Sequence, residues 1–246
     1  MKYFQKIHKL FLILISFNYN WYRALIFFRV APSTEHISFL KSLQDLDQII
    51  DVGANRGQFG LAALSVFPNC KYICFEPIED AYKALKNVLI FKRDISIYNS
   101  AIGNSNSEME MNISQSEDSS SLLTITELQD EIFPGTRKKN TQIVNLSKLT
   151  DFISSNELNN NSLIKIDVQG FELEVLKSAS DLLNKIKYVY VECSFMELYK
   201  NQAIADDIIN LLAANDFKLS GIYNFSSDKK GVSIQADFFF ERKMDN

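Results

Sequence analysis

At residue 48 the hydrophobic pattern of the chain changes, and from there short apolar runs alternate with stretches of helical period. Residues 48–52, 71–75, 95–100, 163–168 and 188–193 are short and almost wholly apolar, which predicts strands covered on both faces. Residues 58–67, 80–91, 171 to about 183 and 204–215 carry helical spacing between and after them. Strands alternating with helices imply a doubly wound, mostly parallel sheet. The last two runs, 218–223 and 235–242, have no helix between them, so an antiparallel C-terminal β-hairpin is expected. Residues 103–121 are rich in Ser, Asn and Glu and read as a long loop.

The 246 residues, 46% of them hydrophobic, suit one globular unit with a sizeable core. A net charge of −4 argues against a nucleic-acid partner. No uninterrupted apolar run reaches the roughly 18 residues of a membrane-spanning helix. Cys70, Cys74 and Cys193 form neither an even set nor a CxxC pair, which speaks against a disulfide framework or zinc and for a reducing, cytoplasmic setting. His8 and His36 both precede the first strand, so a general base in the main domain falls to Asp, Glu, Lys or Tyr.

The chain divides into an arm, residues 1–35, and a domain, residues 36–246. The first 34 residues carry Lys2, Lys6, Lys9, Arg23 and Arg29 and no acid, leaving 21 basic against 30 acidic residues elsewhere. Tyr3, Ile7, Leu10, Leu14, Phe17, Trp21, Leu25 and Phe28 recur at helical spacing as one apolar stripe, interrupted on the opposite face by Ile13 and Phe27. The basic start imitates a signal peptide, but Asn18 to Tyr22 offer no small-residue cleavage site. Two readings stay open: one or two helices packed on the domain, or peripheral contact of residues 1–30 with an anionic membrane.

The first strand-to-helix turn reads Asp51-Val52-Gly53-Ala54-Asn55-Arg56-Gly57. Glycines there allow a tight turn and close approach to a ligand. The dinucleotide fingerprint lacks its third glycine in phase, and Asp51 would repel a pyrophosphate while welcoming an ammonium or sulfonium. That favours S-adenosylmethionine over NAD. Glu76 ends the second strand 25 residues after Asp51, where an acid can hold both ribose hydroxyls. In the segment Lys165-Ile166-Asp167-Val168-Gln169-Gly170-Phe171-Glu172, alternation puts Lys165 and Asp167 on one side of a strand. A lysine there needs a partner, Asp167 or Asp51. Glu172 has a simple reading as a first-turn acid opposing the helix dipole. Glu192 ends the following strand on the same rim.

The segments IIDVGANRGQFG, CFEP, NSAIGN, SSSL and LIKIDVQGFELEVLKSA, over about residues 48–195, resemble the FkbM family of S-adenosylmethionine-dependent methyltransferases. The resemblance implies a class I methyltransferase (Rossmann-like) fold with a seven-stranded sheet, and O-methylation, often of sugar hydroxyls in glycans, glycolipids or polyketides. It places Asp51, Gly53 and Gly57 around the methionine part of the cofactor, Glu76 at the ribose, and Ser100 and Ala101 by the adenine, with Asn55 also among the cofactor-binding residues. Asp167 then faces the reacting methyl. Gln169 departs from the family, many members of which carry Glu there.

The chemistry assigns general base to Asp167, with Glu192 or Lys165 tuning it. A variant adds Mg²⁺ held by Asp167, Glu192 and substrate oxygens. The partner expected is a small-molecule or glycan acceptor. Loop 103–124 and residues 194–203 are candidate pocket walls, and Phe195 and Tyr199 are candidates to stack on a sugar or to pack in the core. A nicotinamide-dependent oxidoreductase and a catalytically inactive adaptor are the rival classes.

Overall fold

The computed structural model describes residues 10–243. In chain order its elements are α1 (Tyr19–Phe28), α2 (Ile37–Ser42), β1 (Gln48–Val52), α3 (Gln58–Val66), β2 (Lys71–Phe75) and α4 (Glu79–Val88). Then come β3 (Ile95–Tyr98), β4 (Ala101–Ile102), β5 (Ser107–Ser114), α5 (Glu127–Ile132), β6 (Lys138–Ser147) and β7 (Ser162–Ile166). The chain closes with α6 (Glu172–Ser178), α7 (Ser180–Leu183), β8 (Tyr188–Ser194), α8 (Ala205–Ala214), β9 (Phe217–Ser227) and β10 (Ser233–Arg242).

The main sheet has seven strands in the order β3-β2-β1-β7-β8-β10-β9. β3, β2, β1, β7 and β8 run parallel, and β10 pairs antiparallel with both β8 and β9. The expected C-terminal hairpin is therefore present, with its second strand inserted next to β8. Side chains alternate across this sheet. Ile50, Val52, Ile73, Phe75, Ile164, Ile166, Val189 and Val191 pack on one face with α6 to α8. Ile49, Tyr72, Cys74, Leu163, Tyr188 and Tyr190 pack on the other with α1 to α4. All five residues of β1 and of β7 are buried, as strands covered on both faces must be.

Two expectations are corrected. The stretch read as a loop, 103–121, contains β5, which pairs antiparallel with β6 in a second sheet of order β4-β6-β5. Met109, Met111 and Ile113 supply the alternating apolar face, packed with Val144, Leu146 and Ile78. The arm is not one continuous stripe. The chain turns at Phe17 (φ 51), and Asn18 Oδ1 caps α1 by accepting from the N–H groups of Asn20 and Trp21. The break shifts the helical phase, so Ile13 is buried while Leu10, Leu14 and Phe17 are exposed. Trp21 and Ala24 are buried against the domain, whereas Tyr19, Ile26 and Phe27 face outward. Tyr3 and Ile7 lie outside the described residues. Among the described residues no helix is long and apolar enough to cross a membrane.

Candidate active site

β1 and β7 are neighbours, and the chain leaves them toward opposite halves of the sheet: the switch point at which open α/β sheets bind ligands. The two loops that follow them meet there. Asp167 N donates to Val52 O (3.1 Å). Gly53 sits at φ +81, and a Cβ on it would fall on the carbonyl oxygen of Asp167. Only glycine allows this approach.

A cleft of about 690 Å³, open solvent included, lies between these loops, the end of β2 and the second sheet. Gly53, Asn55, Glu76, Ser100, Ala101 and Asp167 line it; Asp51, Gly57, Lys165 and Glu192 do not. Glu76 is 4% exposed; its Oε2 accepts from Asn55 N (2.9 Å) and its Oε1 from Ile78 N (2.8 Å). Burial pushes its carboxyl up to about 7, against the pull of those two N–H groups. Each carboxylate oxygen keeps a lone pair for a diol. Asn55 Oδ1 is buried in the cleft lining with no partner, an acceptor suited to a donor on a bound ligand. Ser100 Oγ is engaged with Ser147 Oγ (3.0 Å) and backbone carbonyls, so it ties the turn after β3 to the second sheet. The apolar wall of Phe75, Ile78, Ile102, Met111 and Val168 suits a flat base. These features fit S-adenosylmethionine.

Strand parity explains why Asp51 misses the cleft. It points to the α1 to α4 face, where its Oδ2 accepts from Tyr72 OH (2.7 Å) and its Oδ1 lies 3.2 Å from Lys165 Nζ. Lys165 also lies 3.5 Å from Asp167 Oδ2 and donates to Gly53 O (3.2 Å). Burial works against its charge, but Asp51 and Asp167 outweigh that and hold the ammonium above its ordinary range. Asp51 thus touches the site through Lys165, and both sequence-predicted partners of the lysine are used. Gly57 (φ +92) starts α3 and packs against Leu85 and Val88 on α4.

Gln169 gathers the rim. It adopts φ 56, and Gly170 after it φ 101. This left-handed pair turns the amide back over the sheet. Its Nε2 donates to Asp167 Oδ1 (2.8 Å) and Glu192 Oε2 (2.8 Å), and its Oε1 accepts from Tyr199 OH (2.7 Å). Gln235 Nε2 donates to Glu192 Oε1 (2.6 Å). Burial, then Asp167 and Asp237, push Glu192 well above the usual carboxylate range. Mg²⁺ does not fit this set, because an amide donor stands between the two carboxylates and points its hydrogens at the oxygens a cation would need. Among the described residues no cluster of three or more His, Cys, Asp or Glu is arranged to hold a metal.

A second, polar cavity adjoins the cleft; Asp167, Gln169 and Asp118 line both. Glu192, Gln235, Gln129 and Phe133 also line it, beside Ser116, Ser119, Pro134 and Thr136. Residues 103–124 do wall the cleft, through Met111 on β5 and Glu117, Asp118, Ser120 and Leu122 after it. Tyr199 is buried and positions Gln169, and Phe195 packs near Phe225 and Phe238, so neither lines either cavity. Gln129, Phe133 and Gln235 went unread because polar amides and a lone aromatic carry no periodic signal. His36 is half-buried beside Tyr190 OH (3.0 Å) and 3.6 Å from Asp237, lining neither cavity; desolvation keeps its pKa low.

A seven-stranded doubly wound sheet in this order, with an acid closing β2 and a ligand cleft at the switch point, defines a class I, Rossmann-like methyltransferase. The chain belongs to the FkbM methyltransferase family: the family's methyltransferase domain matches residues 51–219. It is an S-adenosylmethionine-dependent methyltransferase, and neither the oxidoreductase nor the inactive adaptor is supported. A curated relative, 2-O-methyltransferase NoeI of Sinorhizobium fredii, is 26% identical over 184 residues, covering 72% of this chain and 76% of that protein. Among solved structures, magnesium protoporphyrin IX methyltransferase from Synechocystis PCC 6803 aligns over 84% of this chain and 76% of its own, at 11% identity and a TM-score of 0.47. Precorrin-6y C5,15-methyltransferase from Geobacter metallireducens aligns over 85% of each chain, also at 11% identity and a TM-score of 0.47.

Proposed function

We propose that the enzyme methylates a hydroxyl of a sugar in a glycan, glycolipid or related product, with Asp167 as general base. The observation that carries this is the position of Asp167 at the junction of an apolar cleft and a polar cavity. The sugar reading is supported by the polar lining of that cavity, and the oxygen acceptor by the relative's name, a 2-O-methyltransferase. Bound S-adenosylmethionine supplies a methyl group already activated on a sulfonium. Glu76 holds its ribose, and Gly53, Asn55, Ser100 and Ala101 shape the rest of its seat. Asp167 takes the hydroxyl proton on its carboxylate, whose Oδ1 is held by Gln169 and whose Oδ2 faces Lys165. Glu192, anchored by two amides, fixes Gln169 from the far side. Asp167→Asn is expected to keep cofactor affinity within about threefold and to lower transfer of labelled methyl by about 10²–10⁴-fold, the range of a lost general base. Glu76→Ala should do the reverse, weakening calorimetric S-adenosylmethionine binding in folded protein. Loss of cofactor binding in Asp167→Asn would take the base role away from this residue.

A further inference from the structure

The polar cavity contains a buried atom that lacks a partner. Gln129, on α5, is 2% exposed. Its Nε2 donates to Tyr199 OH (3.3 Å), while its Oε1 has no hydrogen-bond partner. The side chain lines the cavity together with Asp167 and Glu192. A buried amide oxygen without a donor is unfavourable, so a ligand that brings an O–H or N–H to it binds with a gain a bare apolar ligand cannot match.

Charge points the same way. Asp118, Asp167 and Glu192 line the cavity, and among the described residues no Lys, Arg or His does. The ammonium of Lys165, behind Asp167, is already shared with Asp51. A ligand anion would meet Asp118 and Asp167 with no cation in the wall to answer it, and Glu192, held well above the usual carboxylate range by burial, brings no positive charge. Phe133 adds a ring face to the wall, which suits the C–H face of a saturated ring.

We propose that this cavity is the acceptor subsite and that Gln129 is a specificity-determining residue in it. The subsite takes an uncharged or amino-bearing polyhydroxy ring that donates to Gln129 Oε1, and rejects rings carrying carboxylate, sulfate or phosphate. The inference rests on the sugar-hydroxyl reading above and adds which sugars are accepted.

The test uses the full chain loaded with S-adenosylhomocysteine and saturation-transfer NMR on three probes: methyl β-glucoside, methyl β-glucosaminide and methyl β-glucuronide. The first two are expected to bind, and the glucuronide at least about tenfold more weakly. Gln129→Leu should weaken the first two about tenfold while leaving S-adenosylhomocysteine affinity unchanged. Gln129→Glu, which keeps an acceptor oxygen, should retain the glucosaminide; this guards against mistaking a folding defect for lost recognition. Equal binding of glucuronide and glucoside, or indifference of the glucoside to Gln129→Leu, would each overturn the proposal. No binding of any of the three probes to the loaded protein would instead bring down the sugar-hydroxyl reading on which it stands.

Discussion

Glu172 is 4% exposed, and its Oε1 accepts from the backbone N–H groups of Val168 (3.2 Å) and Gly170 (3.0 Å). One carboxylate oxygen thereby pins the loop that presents Asp167 and Gln169. Burial pushes this carboxyl from 4.5 up to about 7, only partly offset by the N–H groups it accepts. Between those values the folded state holds a proton that the unfolded chain releases. Its stabilising share is therefore whole below pH 4.5 and lost as pH rises through about 7. At 1.36 kcal/mol per pKa unit, the loss amounts to about 3 kcal/mol. Glu172→Gln keeps the accepting oxygen and never ionises. The variant should gain on the wild type by up to ~3 kcal/mol between pH 5 and pH 8, read as urea unfolding at both pH values. An equal difference at the two pH values would show that the group does not titrate in this window.

The loops after β1 and β7 act as one element because they cross at Gly53. Its φ of +81 and the carbonyl of Asp167 where a Cβ would sit leave two ways to fit Ala: rotate the first loop or push the second away. Either moves the cleft wall. Gly53→Ala should lower stability by about 1–3 kcal/mol, the cost of overpacking. S-adenosylmethionine affinity should fall at least about tenfold, more than the stability loss alone explains. Calorimetric titration of the folded variant decides it; affinity within twofold of wild type would show that the loops are independent. At this scale the sequence was readable where period and burial agree. β1, β2, β7 and β8 were fixed within two residues at their ends because continuous apolar runs admit no other placement in a parallel sheet. β5 was missed because Ser107, Glu108, Glu110 and Asn112 have weak strand propensity, although Met109, Met111 and Ile113 alternate as a half-buried strand should. The charged residues of the site were found one by one, since strand ends are legible. Which of them face the cleft was not, because Asp51 is separated from Glu76 and Asp167 only by the parity of its strand.

For the molecule as a whole, the sheet divides the interior into two cores, and residues 13–30 of the arm close one of them. Trp21 is 5% exposed, belongs to the core on the α1 to α4 face, and donates from Nε1 to Leu61 O on α3 (2.9 Å). Arg23 donates to the carbonyls of Asn87 and Val88 (2.9 and 2.5 Å), satisfying backbone groups near the end of α4. Ser33 N is bonded to Gln58 O (2.9 Å), where α3 begins behind the Gly53 loop. Residues 13–33 therefore back the helices that follow the cleft-lining loops, even though the outer face of α1, with Tyr19, Ile26 and Phe27, is left exposed. Trp21→Ala should cost about 3–5 kcal/mol, the usual range for a buried large aromatic. For a chain of this size that corresponds to a thermal midpoint lower by roughly 10 °C. Trp21→Phe keeps most of the packing and loses one hydrogen bond, so it should cost about 1–2 kcal/mol. Well below the midpoint, Trp21→Ala should still bind S-adenosylmethionine within a few-fold, because the core cluster that holds the indole contains none of the residues lining the cleft. A midpoint unchanged by Trp21→Ala would mean that the arm is not part of the cooperative unit, and that the domain from residue 36 onward holds its fold alone.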